Sequence, residues 1–258
     1  MVTVTDLKKV YTLTRKQKAV MKTQANTKVA VDGVSFTAQP GQIFGLLGPN
    51  GAGKTTTLRC LATLLKPTGG QILVDGHDVV READEVRRRI GFLTNELKLD
   101  DHFSARYTFG FFGRLHGMGE DEIAGREKLL FDAFGVTEFA EMKIGQMSTG
   151  MKQKLAIAVS LVHDPEVIVF DEPTNGLDII TARLVTDYLQ ALRDQGKTVI
   201  ISTHIMTVAQ KLCETIGILL DGKLAACGSL TSILAENNAD DLDDAFFTIY
   251  KRMQEASA

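Results

Sequence analysis

Hydrophobic residues along this chain fall into two patterns, short continuous runs and runs with helical spacing. Continuous apolar runs at Val167 to Phe170 and Val199 to Ile201 are typical of strands that are covered on both faces. The segment Met151 to Val162, which precedes the first run, repeats apolar residues at the spacing of a helix face and predicts one helix. A second helix is predicted over Thr181 to Arg193, between the two runs. Strands that alternate with helices in this way predict an α/β fold with a parallel sheet.

Weaker strand signals, bounded by turn residues, occupy the rest of the chain. Pro40-Gly41, Asp75-Gly76 and Asp221-Gly222 are dipeptides that favour tight turns after such runs. The tail predicts a helix that begins after an acidic lead and carries Leu242, Phe246 and Ile249 on one face. The remaining predicted strands lie at residues 2–4, 7–11, 29–36, 42–47, 71–74, 90–93 and, as a terminal hairpin, 216–227.

Residues from about Leu97 to Met147 interrupt this pattern, because strand signals disappear and aromatic residues recur at helical spacing. We interpret them as a helical insertion in an α/β core. The chain is therefore predicted to form one domain over residues 1–258. Its parts are a β-subdomain with the phosphate-loop part of the core (1–96), a helical subdomain (97–150), the second part of the core (151–228) and a C-terminal helical tail (229–258).

The most specific chemical signal is Gly48-Pro49-Asn50-Gly51-Ala52-Gly53-Lys54-Thr55, which has the form G-x-x-x-x-G-K-S/T of a phosphate-binding loop. A predicted strand precedes it and Thr56 to Lys66 has helical spacing, a context that a glycine turn with an incidental lysine would not explain. Backbone N–H groups and the helix N-terminus suit phosphate. We expect Lys54 to reach the β- and γ-phosphates, the Thr55 hydroxyl to ligate Mg²⁺, and Thr56 to contact the nucleotide.

Composition narrows the class of protein. The 258 residues are 44% hydrophobic and 24% charged, as in ordinary globular proteins, and the net charge of −3 disfavours a general nucleic-acid binder. No apolar run approaches the eighteen or so residues of a membrane span, and the N-terminus lacks the pattern of a signal peptide. The three cysteines are scattered without metal-ligand spacing, which favours reduced packing residues in a cytosolic protein.

One stretch has an unusual charge pattern. From Leu7 to Val31 the chain contains seven basic residues and no acidic one. A solvated surface loop over Thr12 to Lys28 is the favoured interpretation. The alternative is a patch that faces phosphates, either of a nucleotide or of lipid headgroups.

Two acidic residues follow the apolar run at Val167 to Phe170. In a parallel sheet, ligands bind at the carboxyl ends of strands, where the phosphate loop also opens. Asp171 is therefore a candidate Mg²⁺ ligand, since this cation prefers oxygen, and Glu172 can polarise the water that attacks the γ-phosphate. His204 follows the next buried strand and is predicted to lie beside the same phosphate.

Ser148 has two interpretations. It is a candidate N-cap of the helix that begins near Met151, or it belongs to a helix N-terminus that binds phosphate. Because this segment lies almost a hundred residues beyond Lys54 and opens a different helix, phosphate contact would require a second subunit.

With these motifs the chain resembles the ATPase subunit of an ABC transporter, from Tyr11 to the tail. The resemblance implies an α/β P-loop NTPase (RecA-like) core with a small antiparallel β-subdomain and a helical insertion. It matches Gly48 to Thr55 to the Walker A loop and Val167 to Asp171 to the Walker B strand. It further implies Glu172 as the catalytic base, His204 as the switch histidine, and Tyr11 as an aromatic residue that stacks on adenine.

The same resemblance places Ser148 to Gln153 at the family's signature motif and Asn175 to Asp178 at the D-loop. Ser148, Gly150 and Asp178 are then expected to contact nucleotide in a dimer that sandwiches two ATP molecules. The sequence departs from the family twice. Thr149 adds a side chain where the common signature has glycine, and Asn95 stands in place of the Q-loop glutamine, where it is a further candidate metal ligand.

The implied function is ATP hydrolysis, with ATP and Mg²⁺, that powers efflux of Na⁺, a drug or another substrate through a separate membrane permease. The signature and the acidic tail look most like exporter ATPases of the sodium-extrusion (NatA) type and their ABC-2 relatives. The protein would act as a homodimer, or with a close homologue, on the cytoplasmic face of the membrane. Asn95 to Phe112 is the expected docking surface, although its aromatic residues are equally compatible with an ordinary core.

Three rivals are considered. Soluble ABC-type ATPases that act on nucleic acid or ribosomes usually carry two cassettes or long coiled-coil insertions, and this chain has neither. Glu172 and His204 argue against a binding module without hydrolysis. A P-loop kinase or GTPase would have no use for the motif at Ser148 to Gln153, and the guanine-reading N-K-x-D sequence is missing.

Overall fold

Within the residues that the computed structural model describes, 1–20, 22–94 and 98–257, the strands form a four-stranded and a six-stranded sheet. The strands are β1 (Val2–Thr12), β2 (Thr27–Ala38), β3 (Gln42–Leu47), β4 (Gly69–Val74), β5 (His77–Asp78), β6 (Ile90–Leu93), β7 (Val167–Asp171), β8 (Thr198–Thr203), β9 (Thr215–Leu220) and β10 (Lys223–Gly228). The helices are α1 (Arg15–Val20), α2 (Lys54–Leu61), α3 (Ala83–Arg89), α4 (Ala105–Leu115), α5 (Glu120–Phe134), α6 (Thr149–Ser160), α7 (Ile179–Asp194), α8 (Met206–Leu212), α9 (Leu230–Asn237) and α10 (Leu242–Ser257).

The six-stranded sheet positions the site. Its order is β10-β9-β3-β8-β7-β6, with parallel pairing throughout except between β9 and β10. Strand β8 therefore lies between β3 and β7, and the register pairs Leu47 with Thr203 and Asp171 with Ser202. The carboxyl ends of these three strands meet at one edge, which brings the phosphate loop and the acidic pair together.

Both faces of this sheet are covered. Ile168 and Phe170 of β7 pack into a core with the helices of the insertion and of the C-terminal half, whereas Val167 and Val169 face a second core. The second core lies between the two sheets and includes α2, and Phe36 of the smaller sheet stacks there on Phe44 at a centroid distance of 4.5 Å. Alternate residues of one strand thus enter different cores, which explains its continuous apolar run.

The predicted α/β architecture with an antiparallel β-sheet is confirmed, and α4 and α5 lie in the predicted helical insertion. The predicted short strand at 2–4 and the residues at 7–11 that follow it form one strand, β1, with register shifts around Leu7. The predicted C-terminal end of the helix over Thr56 to Lys66 was wrong. Helix α2 stops at Leu61, because Thr63 takes a φ of +62° and the N–H groups of Leu64 and Leu65 both turn back to Arg59.

Three helices had no counterpart among the sequence predictions: α3, α8 and α1, which lies within the stretch favoured as a surface loop. In the described ranges, no helix combines the length and the apolar character needed to cross a membrane. The cysteines are unpaired, and Cys60 and Cys213 are buried among apolar residues. The bounds of the four predicted parts of the domain stay a prediction.

Candidate active site

The phosphate-binding loop connects β3 to α2 and lies directly against neighbouring backbone. Gly53, at the N-cap of α2, has a φ of +107°, and a Cβ there would lie 2.5 Å from the carbonyl oxygen of Ala30. A Cβ on Gly48 would lie 2.2 Å from the carbonyl oxygen of Leu219. At Gly53 only glycine combines this φ with so close an approach, and at Gly48 the close approach alone excludes a side chain.

Lys54 is the first residue of α2 and is buried. Its ammonium donates hydrogen bonds to the carbonyl oxygens of Gly48, at 2.6 Å, and Pro49, at 3.3 Å. It also lies 3.4 Å from Oε1 of Glu172. The loop's own carbonyl groups and Glu172 thus hold the lysine over the loop, at the lining of the pocket described next.

A pocket of about 390 Å³ opens above this loop. Predicted site residues that line it are Tyr11, Pro49, Asn50, Gly51, Gly53, Lys54, Thr55, Thr56, Asp171 and Glu172. Five further lining residues were not among the predicted site residues, although the basic stretch contained Lys28 and the segment matched to the D-loop contained Asn175; the other three are Ala30, Arg59 and Thr94. Gly48 and Ala52 belong to the loop without lining the pocket, and His204, Ser148, Gly150 and Asp178 lie outside its lining.

Tyr11 stands at one side of the pocket, on β1. Its hydroxyl lies 3.4 Å from Oγ1 of Thr56, in the first turn of α2. The ammonium of Lys9 lies 5.3 Å from the centre of the Tyr11 ring, a distance suited to a cation–π contact. These contacts link the aromatic ring to the phosphate loop.

Ser202 positions the acidic pair, although the sequence analysis did not single it out. Its hydroxyl donates to Oδ1 of Asp171, and its oxygen accepts the N–H of Glu172 at 3.0 Å. Glu172 has a φ of +53°, a left-handed conformation that is unfavourable for a residue with a side chain. The bond from Ser202 helps to hold this conformation. A serine at the end of a buried apolar strand was the signal that could have found it.

Glu172 connects the phosphate loop to His204. One carboxylate oxygen, Oε1, faces the Lys54 ammonium, and the other, Oε2, lies 2.5 Å from Nδ1 of His204. His204 therefore belongs to the site through Glu172 although it does not line the pocket. A carboxylate oriented from two sides in this way is suited to accept a proton from a positioned water.

Two of the predicted nucleotide contacts, Ser148 and Asp178, are the N-cap residues of helices, and both lie outside the lining of the pocket. Ser148 caps α6, accepting the N–H of Met151 at 3.3 Å. Asp178 caps α7, accepting the N–H groups of Ile180 and Thr181, each at 3.0 Å. Hydrogen bonds from the Thr181 backbone, and then from its hydroxyl, lower the pKa of Asp178. Within one subunit neither Ser148 nor Asp178 lines the pocket of the phosphate loop.

The chemistry of the pocket fits a magnesium–nucleotide complex better than a metal held by protein alone. The Thr55 hydroxyl and the buried Asp171 carboxylate supply oxygen atoms to one pocket. No group of three or more histidine, cysteine or acidic side chains among the described residues could hold a metal ion. Phosphate and water oxygens complete such a site for Mg²⁺. Asn95, the third predicted ligand, lies outside the described residues.

Comparison with known proteins is consistent with this geometry. A family model described as ABC transporter matches residues 31–175. The chain is 41% identical over 220 residues to the ABC transporter ATP-binding protein NatA of Bacillus subtilis (strain 168), a match that covers 85% of this chain and 89% of that protein. It is 40% identical over 216 residues to a daunorubicin resistance ATP-binding protein of Streptomyces coeruleorubidus, covering 84% of this chain and 68% of the relative.

A solved structure has a similar fold and a related sequence. It is a dimeric ATP-binding cassette in a post-hydrolysis state, bound to ADP and phosphate. The TM-score is 0.79 at 28% sequence identity, and the match covers 89% of this chain and 99% of that one.

Proposed function

This chain belongs to the ABC transporter family, and we propose that it hydrolyses ATP to power export through a separate membrane permease. The observation that carries the proposal is the position of Glu172, between Lys54 of the phosphate loop and His204. A protein that only binds nucleotide has no need of a carboxylate held in this way. The arrangement supports hydrolysis as the reaction.

Each residue of the site has a defined task in this proposal. Tyr11 stacks on the adenine, and the loop N–H groups with Lys54 bind the phosphates. Glu172 accepts a proton from water as the water oxygen bonds to the γ-phosphorus and the bond to the bridging oxygen breaks, which yields ADP and phosphate. His204 keeps Glu172 oriented. Magnesium, held by Thr55 and Asp171, would neutralise charge on the phosphates.

We propose that the second subunit is another copy of this chain. Its Ser148 and Gly150 would face the phosphate bound by the first copy, which explains why these residues lie outside the pocket of their own subunit. Beside Asp178, the side chains of Ile179 and Ile180 are 89% and 82% exposed. Because the exposure of two adjacent isoleucine side chains to water is unfavourable, their burial against a partner would be stabilising. Thr149 stays compatible with this role because Ser148 and Gly150 match the family motif.

The permease partner is proposed to dock on the outer side of α4. Phe103, Tyr107, Phe111 and Leu115, here called the α4 aromatic surface, are all at least 41% exposed. A cavity of about 340 Å³ beside them is lined by Leu99 and by the first three of these residues. Phe109 of the same helix instead packs in the core, edge to face with Phe131. The aromatic residues of the insertion are therefore divided between core and surface.

Na⁺ and an organic compound such as a drug are the cargoes we consider, and one similar relative is named as a daunorubicin resistance protein. The chain would act at the cytoplasmic face of the membrane through its permease. We favour this function over that of a soluble ATPase that acts on nucleic acid or ribosomes, since no feature of the described residues points to such partners.

The rate of phosphate release from ATP, and the molar mass of the protein in light scattering, test the proposal. We expect the parent protein to release phosphate from ATP with Mg²⁺, and Glu172→Gln to lose about 100-fold or more in rate, as expected for a general base. This variant should accumulate as an ATP-bound dimer in light scattering. Glu236→Gln, an exposed change on α9, is the control and should behave as the parent. A Glu172→Gln protein that stays monomeric with ATP and hydrolyses it normally would overturn the mechanism.

The transport part is tested separately. The tagged parent is purified from gently detergent-solubilised membranes and its partners are identified. A multi-span membrane protein in stoichiometric amount supports the proposal, whereas only soluble or ribosomal partners would contradict it.

A further inference from the structure

Lys28 lines the nucleotide pocket but has no part in the function proposed above. It pairs with Tyr11 in the antiparallel register of β1 and β2. Directly paired residues of neighbouring strands point to the same face of a sheet. The lysine and the predicted adenine platform therefore stand side by side on the face that borders the pocket.

The charge of Lys28 is available to a ligand. The side chain is exposed, and it forms no hydrogen bond or ion pair within the described part of the chain. Lys54, by contrast, is engaged by two loop carbonyl groups and by Glu172. Lys28 therefore contributes a positive charge to this pocket that no described residue pairs with.

A basic segment adjoins Lys28 and Tyr11. Residues 13–20 and 22–26, here called the basic arm, leave the sheet just after Tyr11 and return just before Lys28. The N–H of Leu13 donates to the carbonyl of Asn26 at 2.8 Å and closes the base of the arm. The arm is therefore anchored at the rim of the pocket.

Beyond its base, where Leu13 is buried, the arm is charged rather than packed. Helix α1 has no buried residue, so hydrophobic burial does not account for it. Lys18 donates to Asn26 within the arm, whereas the side chains of Arg15, Lys16 and Lys22 have no partner among the described residues. With no acidic residue between Leu7 and Val31, the positive charges are not compensated locally.

We propose that Lys28 and the basic arm form an electrostatic entrance to the nucleotide pocket. Lys28 makes a charge-assisted contact with the bound nucleoside triphosphate, and the arm raises the rate at which this anion arrives. Clustered charge of one sign beside a cleft increases the association rate of an oppositely charged ligand, and salt weakens the effect. The inference rests on the proposed ATP site. Placement of Lys28 within the pocket favours a nucleotide over a lipid headgroup.

Stopped-flow binding of a fluorescent methylanthraniloyl ATP measures both parts, at ionic strengths from about 0.03 M to 0.3 M. Lys28→Ala is expected to raise Kd about two- to fivefold, as for an exposed charge pair. The triple variant Arg15→Ala, Lys16→Ala, Lys22→Ala should lower the association rate at low salt by about threefold or more, with dissociation unchanged. This difference should disappear at high salt. Lys251→Ala, an exposed lysine on α10, should match the parent.

Three outcomes would overturn the inference. If the parent binds the nucleotide while all variants keep its Kd and its salt dependence, the electrostatic entrance is wrong and the ATP site stands. If the parent fails to bind, both proposals fail together. Sedimentation with anionic phospholipid vesicles is run in parallel, because loss of vesicle binding in the triple variant, with unchanged nucleotide kinetics, would assign the arm to lipid headgroups.

Discussion

Glu172 shows how a single residue depends on a neighbour distant in sequence. It follows the last residue of β7 in a left-handed conformation, which for a residue with a side chain costs on the order of 1–3 kcal/mol. The bond from its N–H to Ser202, on the adjacent strand, offsets part of this cost. The same serine donates to Asp171. One hydroxyl therefore orients the Asp171 carboxylate and also holds the backbone of Glu172.

Removing this hydroxyl tests its role in positioning. Ser202→Ala leaves Asp171 without its donor and the Glu172 N–H without its acceptor, so we expect kcat to fall about 10- to 100-fold, as for loss of supporting hydrogen bonds around a site. The Kd for ATP without Mg²⁺ should change less than threefold or so, because Lys54 and the loop remain. Phosphate release and equilibrium binding measure the two quantities.

Ser160→Ala is the matched control for this prediction. Ser160 is also buried, but its hydroxyl donates to Ile157 of its own helix, away from the pocket. Equal losses of kcat in the two variants would show that Ser202 matters only for folding.

At the scale of elements, the sequence predicted best what depends on neighbouring residues. The strand, loop and helix around Lys54 could be predicted because the motif and its flanks are contiguous. Helix α1 could not, since a helix with no buried face leaves no apolar periodicity to detect. Ser202 could not either, and for Lys28 the sequence offered a patch that faces phosphates only as the less favoured alternative. Their importance arises from the register with Asp171 and Tyr11, and pairing between distant strands is not written in either segment alone.

A contact between elements connects the helical insertion to the core. His163, which follows α6, stacks on His116, which follows α4, with ring centres 3.7 Å apart. Its Nε2 lies 3.2 Å from the carbonyl oxygen of Ile90 in β6, and its Nδ1 is buried without a partner in the described part of the chain. Burial, and then the charge of His116, lowers the pKa of His163 to about 4 from 6.5. Arg126 lowers it further, while the Ile90 hydrogen bond and Asp164 oppose the shift.

The pH dependence of stability follows from this shift. The pKa of His163 is 6.5 in the unfolded chain and about 4 in the folded chain, so between these pH values the unfolded chain binds more protons than the folded chain. The contribution of His163 to stability is therefore fully present above about pH 6.5 and is lost as the pH falls. By pH 5 the loss reaches about 2 kcal/mol, or about 4–8 °C in Tm. We expect His163→Gln to reduce the difference in Tm between about pH 7 and pH 5 by this amount. His102→Gln, an exposed histidine, should keep the parent's difference, and an unchanged difference in His163→Gln would contradict the assignment.

At the scale of the whole molecule, two surfaces lie where partner subunits are proposed to bind. The exposed isoleucines beside Asp178 and the N-terminus of α6 lie outside the pocket that they are proposed to complete. The α4 aromatic surface lies on the insertion, and Thr94, the residue that follows β6, lines the nucleotide pocket itself. A partner docked on α4 would thus adjoin a strand that reaches the nucleotide. Both surfaces fit a protein whose reaction is coupled to other subunits.

The α4 aromatic surface supports a final prediction, with a close control within the same chain. Phe111 is 48% exposed on α4, and Phe247 is 59% exposed on α10. Each ring lies edge to face against the adjacent phenylalanine, with centroid distances of 5.6 Å and 6.1 Å. If the permease docks on α4, Phe111→Ser should lower its recovery in affinity purification about tenfold, the effect of losing an aromatic anchor. Phe247→Ser should leave recovery unchanged. Phosphate release by either isolated variant should equal the parent's, because neither ring lines the pocket. Equal recovery of the permease with both variants would place the docking surface elsewhere.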